Sequence, residues 1–296
     1  MEECVHIYTD KVNFGYDIST RSTEDFTLHC HNFYEVYFFL EGNIDYLVEG
    51  QKYTPTPQSL LLLPPHAFHG ARINDARAYR RFSLHFHPDI LSMERRAFLL
   101  SVFPSPEKFC RQAIYFEHTK KDGLISYFEA LKNCASQSGA IQAMLLPVCI
   151  EALLARILSM QTPADYDAKD LKPNTIQDII TFLNQNLCGD ITLDMLSQRF
   201  FISKHHLNKV FRKATGTTVM NYLLYKRIIT AQQLLISGHS AQEAALRTGF
   251  SDYSSFYRSY VHILGHAPVK DRGIIPSLAS LDHERFHAVD FQRKDY

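Results

Sequence analysis

Seven positions near the C-terminus of this chain recur 49 residues later. Asp194, Leu196, Phe201, Ser203, Leu207, Phe211 and Gly216 are answered by Glu243, Ala245, Phe250, Asp252, Phe256, Tyr260 and Gly265. Acid matches acid, apolar matches apolar, helix cap matches helix cap, and Gly matches Gly. An internal repeat takes precedence over other fold signals. The repeated unit reads as a short helix, a tight turn and a second helix, the layout of a helix-turn-helix. First helices are expected at about 193–200 and 241–248, and second helices at about 204–212 and 253–261. Between the repeats, 218–236 reads as one long helix, with Leu224, Ile228, Ala231 and Leu235 at spacings of 4, 3 and 4. Upstream, 174–187 opens on a cap residue and aligns Ile176, Ile179, Ile180 and Leu183, and Asp190 precedes the first repeat.

The second helices carry the chemistry. Ser203 and Asp252 stand where N-caps belong. With Leu207, Val210 and Phe211 inward, Lys204, His205, Asn208, Lys209 and Arg212 are expected to face outward. With Phe256 and Tyr260 inward, Tyr253, Ser254, Ser255, Tyr257 and Arg258 point away. Asn and Arg make paired hydrogen bonds to base edges, and Lys and Ser reach bases or phosphates. A spacer of about 19 residues is about 28 Å long at 1.5 Å per residue. With its turns it sets the two reader helices about one DNA turn apart, about 34 Å. A plain helical domain with polar faces explains either half alone, but not the matched offsets.

Charge agrees with this reading. The whole chain is neutral, with 31 Lys+Arg and 31 Asp+Glu. Residues 174–273 hold 11 basic against 6 acidic residues, whereas 1–173 hold 17 against 21. The repeat thus sits in the basic segment, as a phosphate-facing surface requires. At 296 residues the chain has room for about two domains. The six cysteines (Cys4, Cys30, Cys110, Cys134, Cys149, Cys188) form no CxxC pair, which argues against a zinc ribbon or disulfide framework. A reducing cytoplasm is expected. No signal peptide is read at the N-terminus, and no apolar run approaches the ~20 residues of a membrane span.

The N-terminal third reads as β structure. Phe33–Leu40, Ile44–Val48, Ser59–Leu63 and Arg81–Phe86 are short strands separated by turns at Glu41-Gly42-Asn43 and Glu49-Gly50-Gln51 and by Pro64-Pro65. Such spacing predicts a sandwich or barrel. From about residue 107 the pattern turns helical, through Ile125, Phe128, Leu131 and Lys132. Ala140–Met160 is apolar almost throughout, with Leu145, Cys149, Ala152 and Ile157 on one stripe, Leu146, Leu153 and Leu154 beside it, and Pro147 near its start or at a kink. This helix is either a dimer face or packing for the barrel. Residues 161–173 are polar and proline-flanked, as an interdomain linker would be.

Residues 174–273 resemble the DNA-binding domain of the AraC/XylS family of bacterial transcription regulators. The resemblance is carried by Gly238-His-Ser-Ala-Gln-Glu-Ala-Ala-Leu-Arg-Thr-Gly249-Phe250-Ser-Asp-Tyr-Ser-Ser-Phe256-Tyr-Arg258, closed by Gly265-His-Ala-Pro268, and by Ile202–Gly216 in the first half. It implies base contacts from His205, Asn208, Lys209, Ser254, Ser255 and Arg258, with double-stranded DNA and RNA polymerase as partners, and a homodimer. The sequence departs from the family at Ala244, at Val261-His262, and at the ending Pro268-Val-Lys-Asp271-Arg272.

His29-Cys-His31-Asn-Phe-Tyr-Glu35, with Gly42 seven residues on, resembles the first motif of cupin barrels, and His69 sits where a second-motif histidine would. The Pro-x-Gly of that second motif is replaced by Pro57-Gln58-Ser59. Three imidazoles and a carboxylate form a donor set for Fe, Mn, Ni or Zn. The AraC-type sensor, however, is a cupin-like barrel that commonly keeps such residues without metal. No cofactor is therefore expected, with His29, His31, Glu35 and His69 the lesser reading as ligands. The expected effector site lies in the barrel and is lined by His29, His31, Glu35, Tyr37, His69 and Arg81, which suit a sugar or a carboxylate. The fold expected is α+β. It comprises a cupin-like β-barrel (1–106), a helical connector (107–160), a linker (161–173), an all-α domain with two helix-turn-helix units joined by a long helix (174–273), and a tail (274–296). The function expected is sequence-specific transcription regulation, without enzyme activity or membrane association, controlled by a small-molecule effector. The rival is a metal-dependent cupin enzyme with a helical appendage.

Overall fold

The computed structural model describes residues 3–23, 26, 29–104, 113–117, 119–161 and 175–272. The expected linker and tail therefore lie outside the described residues, apart from Gln161. The chain divides into two compact units, one of residues 1–48 and 52–171, the other of 172–296 with 49–51.

The first unit is built on a six-stranded antiparallel sheet. It contains β1 (Val5–Tyr8), β2 (Val12–Ser19), β3 (Tyr34–Glu41), β6 (Ser59–Leu63), β8 (Tyr79–Phe86) and β9 (Tyr115–Phe116), in the order β1-β2-β8-β3-β6-β9. A second sheet, β5-β4-β7, contains β4 (Ile44–Val48), β5 (Gln51–Tyr53) and β7 (His69–Ile73). Side chains alternate faces along a strand, and here both faces are buried. Val36 and Phe38 of β3, Leu60 and Leu62 of β6, and Phe82, Leu84 and Phe86 of β8 pack on one side with Phe128, Leu131, Leu146, Ile150, Leu153, Leu154 and Ile157. Tyr37 and Phe39, Leu61 and Leu63, and Tyr79 pack on the other side with Ile44, Tyr46 and Val48 of the smaller sheet. The interior between the two sheets is the barrel chamber. The four strands read from sequence are present as β3, β4, β6 and β8; β1, β2, β5 and β7 are additional, and β9 lies in the stretch read as helical.

The helical layer consists of α1 (Arg96–Leu100), α2 (Leu124–Asn133) and α3 (Gly139–Met160). Pro147 lies inside α3, in its third turn. The apolar stripe needs correction: Leu146, Ile150, Leu153, Leu154 and Ile157 are buried, whereas Leu145 and Ala152 are exposed. Ile141, Met144, Leu145, Val148, Ala152 and Ala155 instead form an exposed row at helical spacing. The helix is apolar all round, so hydropathy alone could not say which stripe packs. It is also long and apolar enough to cross a bilayer. One whole face belongs to the core of the sheet, so it is not a membrane span.

The second unit is helical: α4 (Thr175–Gln185), α5 (Leu193–Phe200), α6 (Lys204–Thr215), α7 (Val219–Ile236), α8 (Ala241–Arg247) and α9 (Tyr253–Leu264). Caps explain the boundaries. Thr192, Ser203, Thr218, Ser240 and Asp252 each accept a backbone N–H at N3. Ser240 and Glu243 form a reciprocal capping box. Gly216 (φ 77) and Gly265 (φ 73) end α6 and α9 in the left-handed conformation, which a side chain would strain.

The repeat is real but its offset is not uniform. It is 49 for the second helices, where Ser203, Leu207, Phe211 and Gly216 match Asp252, Phe256, Tyr260 and Gly265. It is 48 for the first helices, where the N-caps are Thr192 and Ser240. Ile202 donates its amide to Ser197 and Phe250 donates to Ala245, again 48 apart. Ile202, not Phe201, is therefore the partner of Phe250, and the second turn is one residue longer. Phe201 is 96% exposed, in the left-handed region at φ 54.

Phe128 is fully buried and stacks on Phe38 at 4.6 Å and Phe82 at 5.3 Å. Phe128→Ala is expected to destabilise the first unit by about 3–5 kcal/mol, read as a lower urea midpoint.

Candidate functional site

The first candidate surface lies on α6 and α9. On α6 the buried residues are Leu207, Phe211 and Thr215. Lys204, His205, His206, Lys209, Arg212 and Lys213 are exposed on the remainder. On α9, Phe256 and Tyr260 are buried, and Tyr253, Ser254, Tyr257, Arg258 and His262 are exposed. Ser255 is half-buried, its amide held by Asp252 Oδ1 at 2.8 Å. Arg258 reaches Ser255 Oγ at 3.4 Å, and Lys204 pairs with Asp194 at 2.8 Å.

Asn208 departs from the sequence reading. It is half-buried, and its Oδ1 accepts the Val219 amide at 3.2 Å, at the first turn of α7. Asn208 stands three residues before the buried Phe211 and seven before the buried Thr215, at the edge of the inward face. The reading also missed His206 and Lys213. They stand at i and i+7 with Lys209 between them, opposite the Leu207–Phe211 stripe, and that period was the available signal.

α7 joins the two helix-turn-helix repeats of the second unit. Its 18 residues correspond to about 27 Å. Ile228, Ala231 and Leu235 are buried against Ala244, Ala245, Phe256 and Tyr260. Arg227 ties the surroundings together, donating to the Leu187, Gly189 and Gly249 carbonyls at 2.7, 2.6 and 3.1 Å. Asp271, at one of the departures from the family pattern, is buried. It accepts from the Tyr260 hydroxyl and from Gln232 Nε2, the latter at 3.0 Å.

The second candidate site lies in the barrel chamber of the first unit. Glu35 of β3 is buried there. Its Oε2 lies 3.2 Å from His31 Nε2, 2.9 Å from His69 Nε2 and 3.5 Å from His85 Nε2. His29 pairs with His69 through two backbone hydrogen bonds of 2.9 Å, and their rings lie 4.4 Å apart. The HxH pair precedes β3 rather than sitting in a strand, but both rings reach His69 as expected.

His85 was missed. It is on β8, directly opposite Glu35. Its parity with Arg81, two residues further on each time, would have placed it in the chamber. Burial holds the His31 imidazole down, to about 4. Burial alone would push the Glu35 carboxyl up, but the imidazoles of His85 and His69 and the bond to His31 hold it well below the ordinary range.

On the same face of the sheet the Tyr37 and Tyr79 hydroxyls are 2.6 Å apart, and the Tyr46 ring is 4.7 Å from that of Tyr37. Burial, reinforced by Tyr79, keeps Tyr37 protonated well above ordinary pH. Arg81 lies over the Tyr79 ring at 4.9 Å and pairs with Asp17 at 3.3 Å. All six effector-site candidates named from sequence belong to this sheet-and-chamber region of the first unit.

Residues 18–146 match the model of the AraC-like ligand binding domain, and residues 196–273 match that of a helix-turn-helix domain. The chain belongs to the AraC family. It is similar to the uncharacterized HTH-type transcriptional regulator YbfI of Bacillus subtilis, at 26% identity over 78% of this chain and 81% of that protein. It is also similar to the HTH-type transcriptional activator RhaS of Salmonella arizonae, at 23% identity over 78% and 82%. Among solved structures, the C-terminal domain of the response regulator yesN from Fusobacterium nucleatum aligns at 26% identity, covering 34% of this chain and 99% of that domain, with a TM-score of 0.33. This AraC-family chain is thus a DNA-binding transcription regulator with an N-terminal ligand-binding domain, and not an enzyme. The cupin-enzyme alternative is set aside.

Asn208→Ala is expected to lower the stability of the helical unit by about 1 kcal/mol, since a backbone donor at the start of α7 loses its partner. Thermal melting monitored by circular dichroism reads this; an unchanged melting temperature would return Asn208 to the outward face.

Proposed function

We propose that this regulator reads DNA through the exposed faces of α6 and α9, as a homodimer, under the control of a ligand held in the barrel chamber. The observation that carries the DNA assignment is the pair of capped helices, each with one face buried in a common scaffold and the other free. On α6 the outward set is Lys204, His205, His206, Lys209, Arg212 and Lys213. On α9 it is Tyr253, Ser254, Tyr257 and Arg258, with Ser255 at the edge. The α6 set is rich in positive charge and suits phosphate as well as base contact. α9 presents a single arginine with hydroxyls and aromatic rings, which suits a less stringent second reading. RNA polymerase is the expected partner of the bound regulator, and the bacterial cytoplasm its place of work.

The dimer face we assign to the exposed row of α3, Ile141, Met144, Leu145, Val148, Ala152 and Ala155. An uninterrupted apolar row on an otherwise packed helix is uncommon for a monomer. The chamber ligand is a small polar molecule that the tyrosine hydroxyls and Arg81 would hold by hydrogen bonds, a sugar or a carboxylate by that chemistry. Such a ligand controls transcription only if its affinity differs between DNA-competent and incompetent states.

Selection of bound fragments from a random DNA pool tests the function directly, and an enriched motif with two half-sites about one helical turn apart is expected. Arg258→Ala is expected to cost about 1–3 kcal/mol at its base. Lys209→Ala is expected to weaken binding and flatten its salt dependence. No enriched motif in the pool, or unchanged affinity in both variants, would end this reading. Val148→Glu is expected to shift the protein to monomer in sedimentation equilibrium while leaving its circular dichroism unchanged.

A further inference from the structure

The two repeats anchor their reader helices in different ways. Each reader helix ends on a glycine, Gly216 or Gly265, and the chain then makes a further helical turn. That turn is residues 219–222, the start of α7, in the first repeat and Pro268–Asp271 in the second. At the 49-residue offset Phe211 answers to Tyr260, and Tyr222 to Asp271. In the first repeat both residues are rings, packed edge to face at 5.5 Å. In the second, the Tyr260 hydroxyl donates to Asp271 Oδ2. Gln232 Nε2, from α7, donates to the same oxygen at 3.0 Å. His266 Nε2 lies 3.6 Å from the other oxygen, Oδ1. The counterpart of Gln232 in the first repeat is Leu183, an apolar side chain.

The two anchors resist different displacements. Apolar burial is non-directional, so a ring pair tolerates small shifts. A hydrogen bond weakens steeply as its angle bends. A buried polar group that loses its partner also bears the full cost of its desolvation. Tyr260 and Asp271 are both buried. α9 is therefore held to α7 by a directional joint, in which one bond from each helix meets on a single oxygen. Tyr260 follows Arg258 by two residues, which is about 200° around a helix of 3.6 residues per turn. The joint thus grips α9 on the face behind the arginine.

We propose that Asp271 is a positioning residue for the second reader helix. By holding the Tyr260 hydroxyl and the Gln232 amide on one oxygen, it sets the rotation and depth of α9, and with them the bases that Ser254 and Arg258 meet. It acts through Tyr260 and not by contact with DNA. The first reader helix has no such joint, so the two half-sites depend on different things. Loss of Asp271 disables reading through α9 and leaves reading through α6 as it was. The proposal deepens the assignment of α9 as a DNA-facing helix and rests on it.

Full-length protein and two duplexes test this. One duplex carries both half-sites of the motif selected from the random pool. In the other, the half-site that Arg258→Ala disturbs is scrambled. Asp271→Leu is expected to lower affinity for the first duplex on the order of tenfold. It should erase the footprint over the α9 half-site and leave the second duplex bound as before. A role in stability alone would weaken both duplexes together, and that result overturns the proposal. Asp271→Asn keeps one carbonyl oxygen for the two donors, and is expected to bind the first duplex within about threefold of the unaltered protein. Should Asp271→Leu fail to fold, Tyr260→Phe carries the test, because it keeps the ring and removes only the donor; the same pattern on the two duplexes is expected. Unchanged affinity for the first duplex in folded Asp271→Leu, or in Tyr260→Phe where that variant decides, overturns the proposal. Arg258→Ala separates it from the assignment beneath it. If that variant spares the first duplex, α9 is not a reader and both ideas fall. If it weakens the first duplex and Asp271→Leu does not, the positioning role alone falls.

Discussion

The first unit depends on one constraint: its large sheet is buried on both faces. In β3, β6 and β8 even-numbered residues pack against helices and odd-numbered residues face the smaller sheet. The helix side is filled with Phe and Leu and carries the packing. The chamber side gathers the polar groups, with Glu35 and Tyr37 on β3 and Arg81 and His85 on β8. A one-residue slip of register would exchange the two sets and bury the charges among phenylalanines. The same alternation that makes the core therefore creates the ligand chamber. A site built this way is held by strands rather than loops, which fixes its geometry.

The helical unit uses a different economy. Its helices are short, and each is started by a side-chain cap. α7 buries residues toward both repeats and so holds the two reader helices at a set separation. The reader faces are then free to be polar, because stability comes from the opposite faces. One departure from the family pattern is absorbed locally. Asp271 stands buried at the closing turn and is satisfied by Tyr260 and Gln232.

Much of this was legible beforehand. The helix boundaries of the repeats came out within a few residues, because caps and apolar periods are local signals. The strands Ile44–Val48 and Ser59–Leu63 were legible for the same reason, bounded by turns. Three things were not. The packed stripe of α3 was misjudged, since a helix apolar on every side does not declare its core face. The orientation of Asn208 is not legible locally, since its partner, the Val219 amide, is eleven residues away across a turn. His85 reads in the sequence only as a neighbour of His66 and His87; its parity with Arg81 gives its face, and only pairing with Glu35 across strands gives its partner.

Local order alone thus settled the duplicated helical pairs, their caps, the basic character of that region and the run of short strands. Those features depend on residues within a turn or two of one another. Folding in three dimensions decided the longer second turn, the outward row of α3 and the convergence of His31, His69 and His85 on one carboxylate. These are contacts between segments far apart in the chain, and hydrophobic burial on both faces of a sheet is what brings them together.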